Sequence, residues 1–223
     1  MYSPSRGTTY HLLDGLNRLI CRVLYQVTPP SPPPLPQSGP VLLVSDHSSY
    51  SDPMVLAATA NRPIIFLTAR EVYQRRDLRW LCEIAHYIPI NRGTHDVGAV
   101  RAMLRALREG EVVGIFPEGG INQHREESGH LGIGYLALKT GAPVVPVSIA
   151  WDQTRPSHLG RSLITPGRAV VRYGPLIVSQ FDQDPTREKI HAVTAHIMHA
   201  IQDIRTGKAY VMPQNTRAPH PET

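Results

Sequence analysis

Val41-Leu42-Leu43-Val44-Ser45-Asp46-His47-Ser48-Ser49-Tyr50-Ser51-Asp52-Pro53 is a strand, a turn and the start of a helix. An unbroken apolar run such as Val41–Val44 suits a strand buried on both faces, the habit of parallel sheets. Asp52-Pro53 opens a helix to about residue 60, since aspartate caps helix N-termini and proline fits the first helical position. The turn between them holds a histidine and a carboxylate. Imidazole, with a pKa of about 6.5, titrates nearest neutrality. A carboxylate on one ring nitrogen fixes the tautomer and leaves the other nitrogen free to take a proton. Plainer readings stand beside this one: Asp52 as a helix cap, His47 as a histidine bonded to backbone.

Downstream the same alternation repeats. Residues 64–68, 87–90, 112–116, 143–150 and 169–173 read as strands, and 78–85, 97–108, 132–140 and 185–205 as helices, two of them ended by Gly110 and Gly141. Strands separated by helices of this length predict an α/β fold with a mostly parallel central sheet flanked by helices. Such sheets place their sites at the carboxyl ends of strands. His47, Arg92 and Glu118 each follow a predicted strand by two residues, so one crevice can collect all three. Each alone also reads as an ordinary surface or turn residue.

Upstream, Leu12, Leu13, Leu16, Leu19, Ile20, Val23, Leu24 and Val27 recur at helical spacing, with Asp14, Asn17, Arg18, Arg22 and Gln26 opposite. This predicts an amphipathic helix whose apolar stripe packs on the core, with a membrane surface as the alternative. Seven of the thirteen residues 28–40 are proline, which predicts a stiff, extended connector. The expected organisation is residues 1–40 as helix and connector, 41–206 as the chemical domain, and 207–223 as a loose, proline-containing tail.

The chain has 223 residues and a net charge of +5, which favours anionic partners. Its arginines are not interleaved with aromatics, which argues against nucleic acid. Cys21 and Cys82 sit in apolar helical patterns and are expected as buried, reduced thiols of a cytoplasmic protein. No apolar run reaches the roughly 18–20 residues needed to span a bilayer, so the expected location is cytoplasmic, with peripheral contact at the inner face of a membrane. His191, His196 and His199 lack accompanying cysteines or carboxylates at metal-ligand spacing, and no metal is expected.

The run from His47 to Asp52 resembles the His-x4-Asp motif of the glycerolipid acyltransferases, typified by the 1-acyl-glycerol-3-phosphate (lysophosphatidate) acyltransferases. Ile88-Pro89-Ile90-Asn91-Arg92 is similar to their second block, Phe116-Pro117-Glu118-Gly119 to their third, and Gly141-Ala142-Pro143-Val144-Val145-Pro146-Val147 to their fourth. Each block alone is a weak signal; four in order are specific. The resemblance implies transfer of a fatty acyl group from acyl-CoA or acyl-carrier protein to a hydroxyl of a lysophospholipid-type acceptor, with no further cofactor. His47 is then the base and Asp52 its orienting partner. Arg92 pairs with the acceptor phosphate, and Glu118, Gly119 and Gly120 shape the acceptor pocket. Arg70 meets headgroup or CoA phosphates, and Phe116, Pro117 and Pro146 complete the substrate-binding set.

Two departures stand out. Gly120-Ile121-Asn122 replaces the family's usual Thr-Arg-Ser continuation, and Asp46 stands where asparagine is common. Two rival functions are a non-catalytic lipid- or membrane-binding protein of the same fold, and an ester or thioester hydrolase using Ser48, Ser49 or Ser51. The absence of a Gly-x-Ser-x-Gly elbow counts against the hydrolase.

Overall fold

The computed structural model describes residues 7–30, 33–91, 96–117 and 127–207. Six strands, β1 (Val41–Ser45), β2 (Ile64–Ala69), β3 (Ile88–Ile90), β4 (Val112–Ile115), β5 (Val144–Trp151) and β6 (Ala169–Tyr173), form one sheet in the order β3-β2-β4-β1-β5-β6. All neighbours are parallel except β5 and β6. The helices are α1 (Thr8–Leu24), α2 (Asp52–Thr59), α3 (Arg70–Tyr73), α4 (Arg79–Ile84), α5 (Val97–Arg108), α6 (Glu127–Thr140), α7 (Leu159–Ile164) and α8 (Arg187–Thr206). The expected α/β architecture is therefore present. The short helices α3 and α7 and the antiparallel edge are additions to it.

Side chains alternate across a strand, and β1 divides the core accordingly. Leu42 and Val44 join Met103 and Leu107 of α5, Ile133 and Leu136 of α6, and Ile197 and Ile201 of α8. Val41 and Leu43 face the other way, against Val55 and Leu56 of α2 and against Cys21, Tyr25, Val27 and Leu35. The proline-rich connector thus brings α1 back onto the sheet rather than holding it apart. Arg62 pins the connector by donating to the carbonyls of Pro36, Gly39 and Gly110 at 3.2, 2.7 and 2.6 Å. Both cysteines are free and buried, and burial pushes the Cys21 thiol up to about 12.

The expected direction of α1 holds only in part. Leu24 and Val27 pack on the core, but Leu12, Leu16, Leu19 and Val23 are 70, 53, 58 and 72% exposed, while Asn17 and Arg18 of the polar side face inward. Asn17 donates to Met54 O at 3.0 Å, and Arg18 donates to Ala58 O and Ala60 O at 2.9 and 3.0 Å. The last carbonyls of α2 need donors, and a guanidinium satisfies two of them where a leucine satisfies none. Among the described residues no helix is long and apolar enough to cross a membrane.

Candidate active site

β1 lies between β4 and β5, and the chain leaves this centre in opposite directions, toward β2 in one case and β5 in the other. Sites of open α/β sheets form at such points, beyond the strands' carboxyl ends. The turn from β1 to α2 emerges there. It bends so that Asp52, the first residue of α2, points back under it. Asp52 Oδ2 accepts from Ser48 N at 2.8 Å and Ser49 N at 2.7 Å, and lies 2.9 Å from His47 Nδ1. Asp52 Oδ1 accepts from the indole Nε1 of Trp151 at 2.9 Å. The Asp52 side chain is 0% exposed and that of His47 is 12% exposed. A carboxylate with backbone and indole donors already on it accepts from imidazole, so Nδ1 carries the proton and Nε2 keeps its lone pair.

The imidazole is also held from its face. Phe116, directly after β4, stacks on His47 with centroids 4.3 Å apart and planes at 27°. Phe66 of β2 stacks behind it at 5.8 Å. Phe66 has room because Gly114 lies opposite it in β4; a Cβ there would come within 2.6 Å of the Phe66 ring. Asp46 is tied to β5, accepting from Ser148 Oγ at 3.0 Å and Ile149 N at 2.9 Å. Burial raises its carboxyl above the ordinary value of 3.8.

Residues 30–150 match the model of the family described as Acyltransferase. The chain belongs to the acyltransferase family. Among its relatives are two proteins named 1-acyl-sn-glycerol-3-phosphate acyltransferase. That of Bacillus subtilis is 23% identical over 172 residues, 76% of this chain and 83% of the relative. That of Borreliella burgdorferi is 25% identical over 121 residues, 52% of this chain and 47% of the relative. The crystal structure of the 1-acyl-sn-glycerophosphate (LPA) acyltransferase PlsC from Thermotoga maritima shares the fold, with a TM-score of 0.64, 18% identity, and 92% of this chain and 81% of that one covered.

Of the residues singled out in the sequence, this acyltransferase brings His47, Asp52 and Phe116 together. Pro117 is buried beside them in sequence. Arg70 begins α3 at the carboxyl end of β2, on the same edge of the sheet. It donates to Asn91 Oδ1 at 2.6 Å, and Asn91 N and Nδ2 both donate to Asp96 Oδ2 at 3.0 Å. These bonds hold the ends of β2 and β3 together immediately before Arg92. Pro146 is buried within β5, level with Val44 of β1, and accepts from Gly174 N at 2.8 Å. Arg92, Glu118, Gly119 and Gly120 lie outside the described residues.

Ser49 and Ser51 are fully buried. Their hydroxyls meet Ser162 Oγ of α7 at 3.0 and 3.3 Å, so they lack the access an acyl-serine nucleophile needs. Trp151 escaped the sequence reading, although it ends β5 and the strand-end rule that selects His47 selects it too.

Proposed function

We propose that this acyltransferase moves a fatty acyl group from a thioester, acyl-CoA or acyl-carrier protein, to the free hydroxyl of a 1-acylglycerol-3-phosphate-type lysophospholipid. His47 Nε2 takes the hydroxyl proton as the oxygen attacks the thioester carbonyl. The tetrahedral intermediate collapses, the carbon–sulfur bond breaks, and the imidazolium returns its proton to the departing sulfur. Asp52 keeps the ring oriented and offsets its positive charge while the proton is on it. The nucleophile belongs to the acceptor, so no acyl-enzyme forms, and no cofactor beyond the donor takes part. A positioned base of this kind contributes roughly 10²–10⁴-fold.

The observation that carries the reading is the 2.9 Å contact between His47 Nδ1 and a fully buried Asp52. The relatives' names support the acceptor class. Arg92 grips the acceptor phosphate in bidentate fashion and Arg70 meets a second phosphate, from headgroup or donor. Phe116, Pro117, Glu118, Gly119, Gly120 and Pro146 shape the pocket. The outward stripe of α1 rests on the cytoplasmic face of a membrane, where the lipid acceptor resides.

Purified protein supplied with lysophosphatidate and either donor, followed by thiol release and mass spectrometry of the lipid, tests the proposal. Diacylated product from the parent and none from His47→Ala is the expected result. Full turnover by His47→Ala overturns it.

A further inference from the structure

The bonds to Asp52 are unevenly shared. Oδ2 has His47 Nδ1 and two backbone N–H groups of its own turn. Among the described residues, Oδ1 has one donor, the Trp151 indole. With Asp52 fully buried, an Oδ1 without that donor stays dry and unpaired, and the carboxylate is steadied at one oxygen only.

The indole is itself held on two sides. The Arg155 guanidinium lies 4.2 Å from its ring centroid, and the Tyr25 ring meets it edge-on at 5.3 Å and 86°. Arg155 is buried. It donates to Pro166 O at 3.0 Å and to Ser162 O and Thr165 O at 2.7 Å, while its Nε has no partner among the described residues. A cation over an indole draws on its π electrons and makes the N–H a better donor. A buried positive and a buried negative charge thus flank one aromatic ring, and α7 with the segment after it, through residue 166, supplies the carbonyls that hold the cation in place.

We infer that Trp151, stacked beneath Arg155, is a positioning residue that fixes the Asp52 carboxylate plane and through it the azimuth of the His47 ring. This rests on His47 acting as the base. Because it acts through Asp52, its effect is expected on turnover rather than on binding.

Trp151→Phe keeps a ring under the guanidinium and removes the donor. Turnover per folded molecule is expected to fall about tenfold or more, with KM for donor and acceptor within about twofold. Turnover within about twofold of the parent overturns the inference. His47→Ala in the same assay separates the two readings. An inactive His47→Ala beside a fully active Trp151→Phe sinks the Trp151 role alone, and an active His47→Ala sinks the base. The native chain provides a second readout, because it has only two tryptophans. In ¹⁵N NMR the indole proton of Trp151 is expected to exchange slowly with solvent and to shift in Asp52→Asn. Exchange as fast as that of the exposed Trp80, or no shift in Asp52→Asn, overturns the contact even if Trp151→Phe fails to fold.

Discussion

Asp52 is the residue on which the turn closes, and its loss has two separable consequences. Asp52→Ala strands the donors of Ser48, Ser49, Trp151 and His47 inside the protein. Each buried unpaired donor costs about 1–3 kcal/mol before relaxation, so a marked drop in the denaturant midpoint is expected together with lost turnover. His47→Ala removes a largely buried ring but leaves Asp52 Oδ2 its two backbone donors. It should lower the midpoint less than Asp52→Ala while abolishing transfer, as equilibrium unfolding beside the enzymatic assay will show.

Asp46 makes the opposite kind of contribution. Burial raises its folded carboxyl above its unfolded value, so the native state binds the proton more tightly. The stabilisation from that proton is fully present below the unfolded value of 3.8 and is lost as pH rises through the folded value. Asp46→Asn keeps an acceptor for Ile149 N and removes the titration. Unfolding measured from pH 3 to pH 7 should show the variant gaining on the parent as pH rises. A constant difference across that range refutes this account.

At the scale of elements, strands β2 and β4 set the face on which His47 rests. Gly114→Ala puts a Cβ 2.6 Å from Phe66 and 2.7 Å from Ile64, and the displaced ring pushes on Phe116 and so on His47. Overpacking of this kind costs about 1–3 kcal/mol. The same substitution should also lower turnover, measurable on the fraction that remains folded.

The central strands were readable because parallel strands buried on both faces are plain apolar runs between helices. His47 and Asp52 were readable because both lie within one turn. Helix α3 was not, since four residues are too few to show a 3.6-residue period, and α7 was not read either. Trp151 was hidden by distance along the chain: its bond to Asp52 spans 99 positions, and only the pairing of β1 with β5 brings the two together.

At the scale of the whole molecule, α1 carries the clearest lesson about what periodicity omits. A hydrophobic stripe shows that a helix has two faces but not which environment each one meets. Here Asn17 and Arg18 of the polar face are spent on α2, and Leu12, Leu16, Leu19 and Val23 are left outside. Leu16→Glu combined with Leu19→Glu should weaken sedimentation with anionic vesicles while leaving the unfolding midpoint almost unchanged, since neither side chain is buried. The net charge of +5 adds a contribution that salt screens, so binding of the parent should weaken in part, and not entirely, as ionic strength rises.

Arg18 ties the middle of α1 to the last turn of α2, and the first residue of α2 is Asp52. The outward stripe and the buried carboxylate beside His47 are therefore joined through one short helix. On a bilayer met by that stripe, α2 would set how far the proposed base stands from the lipid surface.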